Sequence, residues 1–207
     1  MNLDFSDDQK FLQDEARKFF DKEGGLTNTR KVMDESLSHD AALWGKVLEL
    51  GWTGIRIPEE YDGLGLGHLE LCVIAEEIGR ALAPIPFSSS VYLFTETIIK
   101  YGSDEIKKNI LPKLVTGEIV GTYAVAEDVS AITESTLSCA VEGDSVTGTK
   151  IAVPDAELAT HAVVLVKGSK GPELRLVDLS SDGVEVSLQK NLDKSRSFYK
   201  VAFNNAQ

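Results

Sequence analysis

Few residues of this chain have the types and spacing that chemistry demands, and each candidate has a plainer reading beside it. The run Asp62-Gly-Leu-Gly-Leu-Gly67 suggests a loop whose glycines let backbone approach a phosphate at a helix N-terminus. That chemistry needs a strand before the run and a βαβ unit around it. Here a Pro-Glu-Glu-Tyr turn precedes it among helical segments, which favours a tight inter-helix turn needing positive φ. Glu76-Glu77 has the look of a paired-carboxylate site. Helical neighbours point about 100° apart, however, so a solvated face is expected. His39, His68 and His161 stand singly in unrelated segments, with neither metal nor triad spacing. Cys72 and Cys139 have no metal or redox spacing and read as small buried hydrophobes in a reducing compartment. Trp44 and Trp52 flank Gly51 and read as core anchors, since Trp44 lies on the apolar stripe of its helix.

The elements that must position these residues change character once along the chain. Up to Val120 the periodicity is helical. Ser6 and Gln9 fit a capping box, after which Phe11, Leu12, Ala16, Phe19 and Phe20 form an apolar stripe ended by Gly24-Gly25. Ala41–Leu50 sets Leu43, Trp44, Val47, Leu48 and Leu50 near one face, with Gly51 as its stop. Leu71, Ile74, Ala75, Ile78 and Leu82 mark a third helix, broken by Pro84 and Pro86. A helix over Val91–Lys100 follows. Ser103 then caps a segment in which Pro112 is expected to kink or split the helix, and Gly117 ends it.

From Gly121 the chain shows short β-rich runs between turn residues: Thr122–Ala126, Leu137–Val141, Ser145–Ile151, Ala162–Lys167, Leu174–Leu179, Val184–Leu188 and Phe198–Phe203. Helices first and strands second, without alternation, predict an α+β chain: an all-helical domain over residues 1–119 and a small β-barrel over 120–207.

Composition narrows the partners. The chain has 207 residues, 43% hydrophobic and 26% charged, within the globular range. Its formal charge of −12 argues against nucleic acid, which demands a clustered basic surface. Residues 1–120 carry 13 basic and 21 acidic side chains and the rest carry 8 and 12, so no basic module hides behind an acidic one. A polyanion such as CoA needs local basic contacts here. No run approaches the roughly 18 apolar residues of a membrane span. Met1-Asn-Leu-Asp-Phe-Ser-Asp-Asp8 lacks the basic and apolar regions of a signal peptide. A cytoplasmic protein without membrane insertion is expected.

In order and spacing, a series of segments resembles the acyl-CoA dehydrogenase family. They are Phe5-Ser-Asp-Asp-Gln9, Trp44-Gly-Lys-Val-Leu-Glu-Leu-Gly-Trp52, Ile57-Pro-Glu-Glu-Tyr-Asp-Gly-Leu-Gly65 and Ala75-Glu-Glu-Ile-Gly-Arg80. Tyr101-Gly-Ser-Asp-Glu-Ile-Lys-Lys108, Leu111-Pro-Lys-Leu-Val-Thr-Gly-Glu118 and Tyr123-Ala-Val-Ala-Glu127 continue it. The resemblance implies FAD as cofactor, an acyl-CoA thioester as substrate, and α,β-dehydrogenation in a homo- or hetero-oligomer. It places the flavin against the barrel near Tyr123, Val125, Ala126 and Val153, with backbone contacts from 123–127. It assigns the base to a C-terminal helical bundle beyond Gln207, so it implies no catalytic residue and no metal within this chain.

Two departures bear on the flavin. Where the family has Thr-Glu-Pro-x-Ala-Gly-Ser-Asp, this chain has Ala126-Glu-Asp-Val-Ser-Ala-Ile-Thr133. Where the family has Gly-x-Lys-x-Trp-Ile-Thr-Asn, it has Gly148-Thr-Lys-Ile-Ala-Val-Pro-Asp155. Ala126, Ala152 and Pro154 thus replace the hydroxyl, indole and threonine that touch the ring. The pattern also suits a non-catalytic partner subunit of a heteromeric acyl-CoA dehydrogenase. A flavin-dependent monooxygenase or nitroalkane oxidase on the same scaffold, and a purely structural or binding protein, are further readings.

Overall fold

The computed structural model describes residues 4–207. The first three residues of the segment read above as free of a signal peptide lie outside the described residues.

The helical part runs α1 (Asp7–Glu23), α2 (Leu26–Asp34), α3 (Ala41–Glu49), α4 (His68–Arg80), α5 (Glu96–Tyr101) and α6 (Asp104–Thr116). Single 3-10 turns at Trp52–Gly54 and Glu59–Tyr61 fill the α3–α4 connection. Ser6 and Gln9 close the expected capping box on α1, and Asp7 and Asp8 favour its positive N-terminal end. The glycine run is the predicted turn: Gly65 is left-handed at φ +61. A Cβ on Gly63 would sit 2.0 Å from the Ile57 carbonyl oxygen.

The structure departs from the expected helices and cysteines at several points. α2 has too few apolar residues to announce itself; it buries only Thr29 and Val32. α6 continues through Pro112 unsplit, because the Ser103 cap and the burial of Ile110, Leu111 and Leu114 outweigh one lost backbone bond. Residues Ser88–Thr95 form a wider π-helical stretch ahead of α5, in which Thr95 Oγ1 donates to the Ser90 carbonyl five residues back. Phe11 and Leu50 face solvent, at the margins of their stripes. Cys72 is exposed, whereas Cys139 is buried.

Seven strands follow: β1 (Gly121–Ala124), β2 (Ala140–Glu142), β3 (Ser145–Pro154), β4 (His161–Gly168), β5 (Gly171–Asp178), β6 (Val184–Gln189) and β7 (Phe198–Ala206). They make one mixed sheet in the order β1-β4-β2-β3-β7-β6, with β5 paired to β4. β1 and β4 are parallel, while the β2–β3, β4–β5 and β6–β7 hairpins are antiparallel. The sheet curls as a half-barrel around an apolar core that includes Cys139, Val153, Val164, Val201 and Phe203.

Helices and sheet share a core in which Phe94, Ile98 and Leu111 meet Val163 of β4. Gly121 explains how closely they approach. A Cβ there would lie 2.1 Å from ring atoms of Phe94, and the Gly121 amide donates to Ser90 Oγ at 3.2 Å. Only a residue without a side chain lets β1 lie flat on that ring.

Candidate functional site

The site the sequence points to lies at the β1–β2 connection and along β3. Here the structure brings together residues 23 positions apart. Lys150, on β3, is fully buried, and its Nζ donates to Glu127 Oε1 at 2.8 Å and to the Val125 carbonyl at 3.2 Å. Glu127 also accepts from the Cys139 amide at 2.9 Å and from the amide and hydroxyl of Ser138. Burial pushes the Glu127 carboxyl up. The bonds from Lys150, Ser138 and Cys139 outweigh that effect and bring it down to about 2. A buried lysine is tolerable only beside such an acceptor. Gly148, at φ +144, lets β3 pass Cys139, whose Cα a Cβ at 148 would meet at 2.7 Å.

Beyond Lys150 the β3–β7 register shifts, and Ala152 turns left-handed at φ +52. Its amide donates to the Gln189 side chain at 2.7 Å, and the Ile151 amide donates to the Ala126 carbonyl at 2.8 Å. Among the residues expected to face a flavin, Tyr123, Val125 and Ala126 are partly buried, and Val125 opens onto a small recess beneath the 128–137 loop. Val153 is fully buried in the barrel core and does not share that surface. The Val125 and Ala126 carbonyls are already taken by Lys150 and Ile151. Alanine at 126 and 152 offers only methyl groups. Positions 126 and 152 therefore give a flavin no polar side-chain contact; what they offer is apolar surface and backbone.

A second polar node stands at the end of β3. Asp155, only 6% exposed and left-handed at φ +54, accepts from Ser89 Oγ at 2.6 Å and Arg196 Nη2 at 3.1 Å. Burial pushes its carboxyl above the usual range against these two donors. Ser89 belongs to the π-helical stretch, so this carboxylate ties helices, β3 and the β6–β7 loop together.

Glu77, expected on a solvated face, is fully buried. It is held by Arg17 of α1 at 2.6 Å and by Arg80 at 2.6 Å, which keeps its carboxyl below the usual range. The correction is physical: α4 turns Glu76 outward and Glu77 toward α1, and the buried charge is paired. The histidines stay apart, His39 against Ser38, His68 against Glu96 and His161 against Thr160. Among the described residues no three His, Cys, Asp or Glu side chains gather as metal ligands, and no helix is long and apolar enough to cross a membrane.

The family model described as acyl-CoA dehydrogenase, N-terminal domain, matches residues 6–118, more than half of the chain. This chain belongs to the acyl-CoA dehydrogenase family. It is similar to the mitochondrial isovaleryl-CoA dehydrogenase of Solanum tuberosum, 31% identical over 93% of this chain and 49% of that protein. The chain thus spans about half the length of the curated relatives it matches. Among solved structures, the steroid ACAD Tcur3481-Tcur3483 superposes with a TM-score of 0.83 at 28% identity, over 96% of this chain and 55% of its own. An acyl-CoA dehydrogenase from Bacillus anthracis, complexed with FAD, superposes at 0.85 with 25% identity, covering 98% of this chain and 36% of its own. The family assignment carries the fold: helices followed by a curled mixed sheet.

The Glu127–Lys150 pair was half visible beforehand. Both residues lie in the motif stretches, Ala126-Glu and Gly148-x-Lys, but only the folded chain shows that they meet. Asp155 closes the same motif stretch, yet nothing there announces its role as a buried node, because its partners lie 66 and 41 residues away.

Proposed function

We propose that this chain is the helical and barrel portion, residues 1–119 and 120–207, of a subunit in an acyl-CoA dehydrogenase-type flavoprotein. The assembly's reaction is FAD-dependent α,β-dehydrogenation of an acyl-CoA thioester. The observation that supports it is the family match over residues 6–118 running directly into a barrel that keeps the Gly148-x-Lys150 stretch. In this reading the barrel lends the ring an apolar wall, and the polar grip on FAD comes from elsewhere in the oligomer.

A second reading is favoured by Ala126 and Ala152: a partner subunit that walls a neighbour's site and holds no flavin itself. One lost neutral hydrogen bond costs about 0.5–1.5 kcal/mol. A lost indole contact costs about 1 kcal/mol beyond its buried area.

Equilibrium titration of the purified 207-residue chain with FAD, by flavin fluorescence and calorimetry, tests both. A Kd of about micromolar or weaker is expected, together with no dye-coupled turnover of acyl-CoA esters. Yellow protein straight from purification, or a submicromolar Kd, excludes the partner reading. Turnover by this chain alone overturns the claim that the remaining machinery lies elsewhere.

A further inference from the structure

The 128–137 loop is held to the barrel in an unusual way. It has no regular structure, and the hydrogen bonds of its residues close on themselves. Ser130 donates to Asp128, the Thr133 amide donates to Thr136 Oγ1, and Thr136 Oγ1 donates to the Ala131 carbonyl. Val129 and Ile132 are exposed, and Leu137 tucks under at the far end. What joins the loop's two ends is one carboxylate: Glu127 precedes the loop, and Ser138 and Cys139, which follow it, both donate to Glu127. Lys150 then fixes that carboxylate to β3 and the Val125 carbonyl to the same point.

We propose that Glu127 and Lys150 form a positioning latch, which sets where the 128–137 loop lies against the barrel and whose rupture frees the loop as a unit while the barrel stays folded. The two residues are positioning residues: nothing in the geometry brings either to a reacting atom. The latch shapes the wall of the candidate site whether this subunit grips flavin or only borders a neighbour's, so its test is independent of flavin content.

The chain contains its own reporter. Cys139 is buried directly under the latch and its amide is one of the latch donors, whereas Cys72 is exposed. In a Cys72→Ser background, labelling of Cys139 by a thiol-reactive disulfide dye measures how often the latch region opens. Glu127→Gln preserves volume but replaces one carboxylate oxygen by an NH2 group. Whichever way it turns, that group faces donors, Lys150 and Cys139 on one side or Ser138 on the other.

The expected result is a tenfold or greater rise in the Cys139 labelling rate in Glu127→Gln and again in Lys150→Met. The double variant labels no faster than either single one, because both break the same latch. Labelling in these variants depends weakly on urea, as local opening does. Unchanged labelling in Glu127→Gln overturns the proposal. So does labelling that follows the urea dependence of global unfolding, since the pair is then only part of the barrel's general stability. If Lys150→Met does not fold, Glu127→Gln decides alone.

Discussion

Lys150 Nζ stands 2.8 Å from Glu127 Oε1, with the lysine fully buried and only 12% of the glutamate side chain exposed. The pair makes acid stability a direct readout. The Glu127 carboxyl is brought down to about 2 from an ordinary value of 4.5. A lowered pKa contributes stability that is present above 4.5 and lost as pH falls through about 2. The shift corresponds to about 3 kcal/mol. Urea unfolding at steps from pH 6 to pH 2.5 is therefore expected to show the wild type converging on Glu127→Gln as acid is added. A constant gap between the two across that range contradicts the assignment.

Gly121 and Phe94 mark a close approach between helices and sheet. Gly121→Ala forces a methyl to 2.1 Å from the Phe94 ring and is expected to cost about 2 kcal/mol or more. Phe94→Leu alone also destabilises, by loss of packing. The double variant is expected to be more stable than the sum of the two losses predicts, because the smaller side chain makes room for the methyl. Denaturant midpoints of the four proteins measure this coupling; strict additivity places the clash elsewhere.

The order of elements was legible because periodicity changes once, near Val120, and because caps such as Ser6, Ser103 and Gly51 are local signals. What escaped depends on contacts far apart in sequence. α2 was invisible because it buries so little. Glu77 looked solvent-facing because its two arginines, Arg17 and Arg80, complete it only once α1 lies on α4. Val153 and Ala126 are near each other in motif logic, yet β3 sends Val153 inward at the bulge after Lys150. Strand alternation gives a residue's face only where the register is unbroken.

Glu77 joins α1 to α4, and its removal should exceed that of either partner. Glu77→Ala loses hydrogen bonds from two guanidinium groups and leaves a void, at an expected cost of about 2 kcal/mol. Arg17→Ala strips the donors from Glu77 Oε1, but Arg80 still neutralises the carboxylate through Oε2, so a loss smaller than that of Glu77→Ala is expected. Thermal melts of the two variants rank them. An Arg17→Ala loss equal to that of Glu77→Ala means that Arg80 does not compensate.

Asp155 reverses the sign worked out for Glu127. Burial raises its carboxyl, and Ser89 and Arg196, with His39 nearby, counter only part of that. A group whose pKa is raised on folding contributes stability that is present below its unfolded value, here 3.8, and lost as pH rises through the folded value. At neutral pH the folded chain therefore carries the burden of a desolvated charge. Asp155→Asn removes that charge at nearly constant shape. Asparagine tolerates the left-handed backbone at φ +54. Oδ2 alone accepts from both Ser89 and Arg196, so one amide carbonyl can keep both bonds. Arg196 is partly exposed and can turn its charge to water. The variant is accordingly expected to melt higher than the wild type at pH 7, with the advantage shrinking toward pH 3. Ser89→Ala serves as the control, losing about 1 kcal/mol through a missing buried hydrogen bond. If Asp155→Asn instead melts lower at pH 7, the attraction between Asp155 and Arg196 outweighs desolvation, and the node binds the β6–β7 loop to β3 as an ion pair.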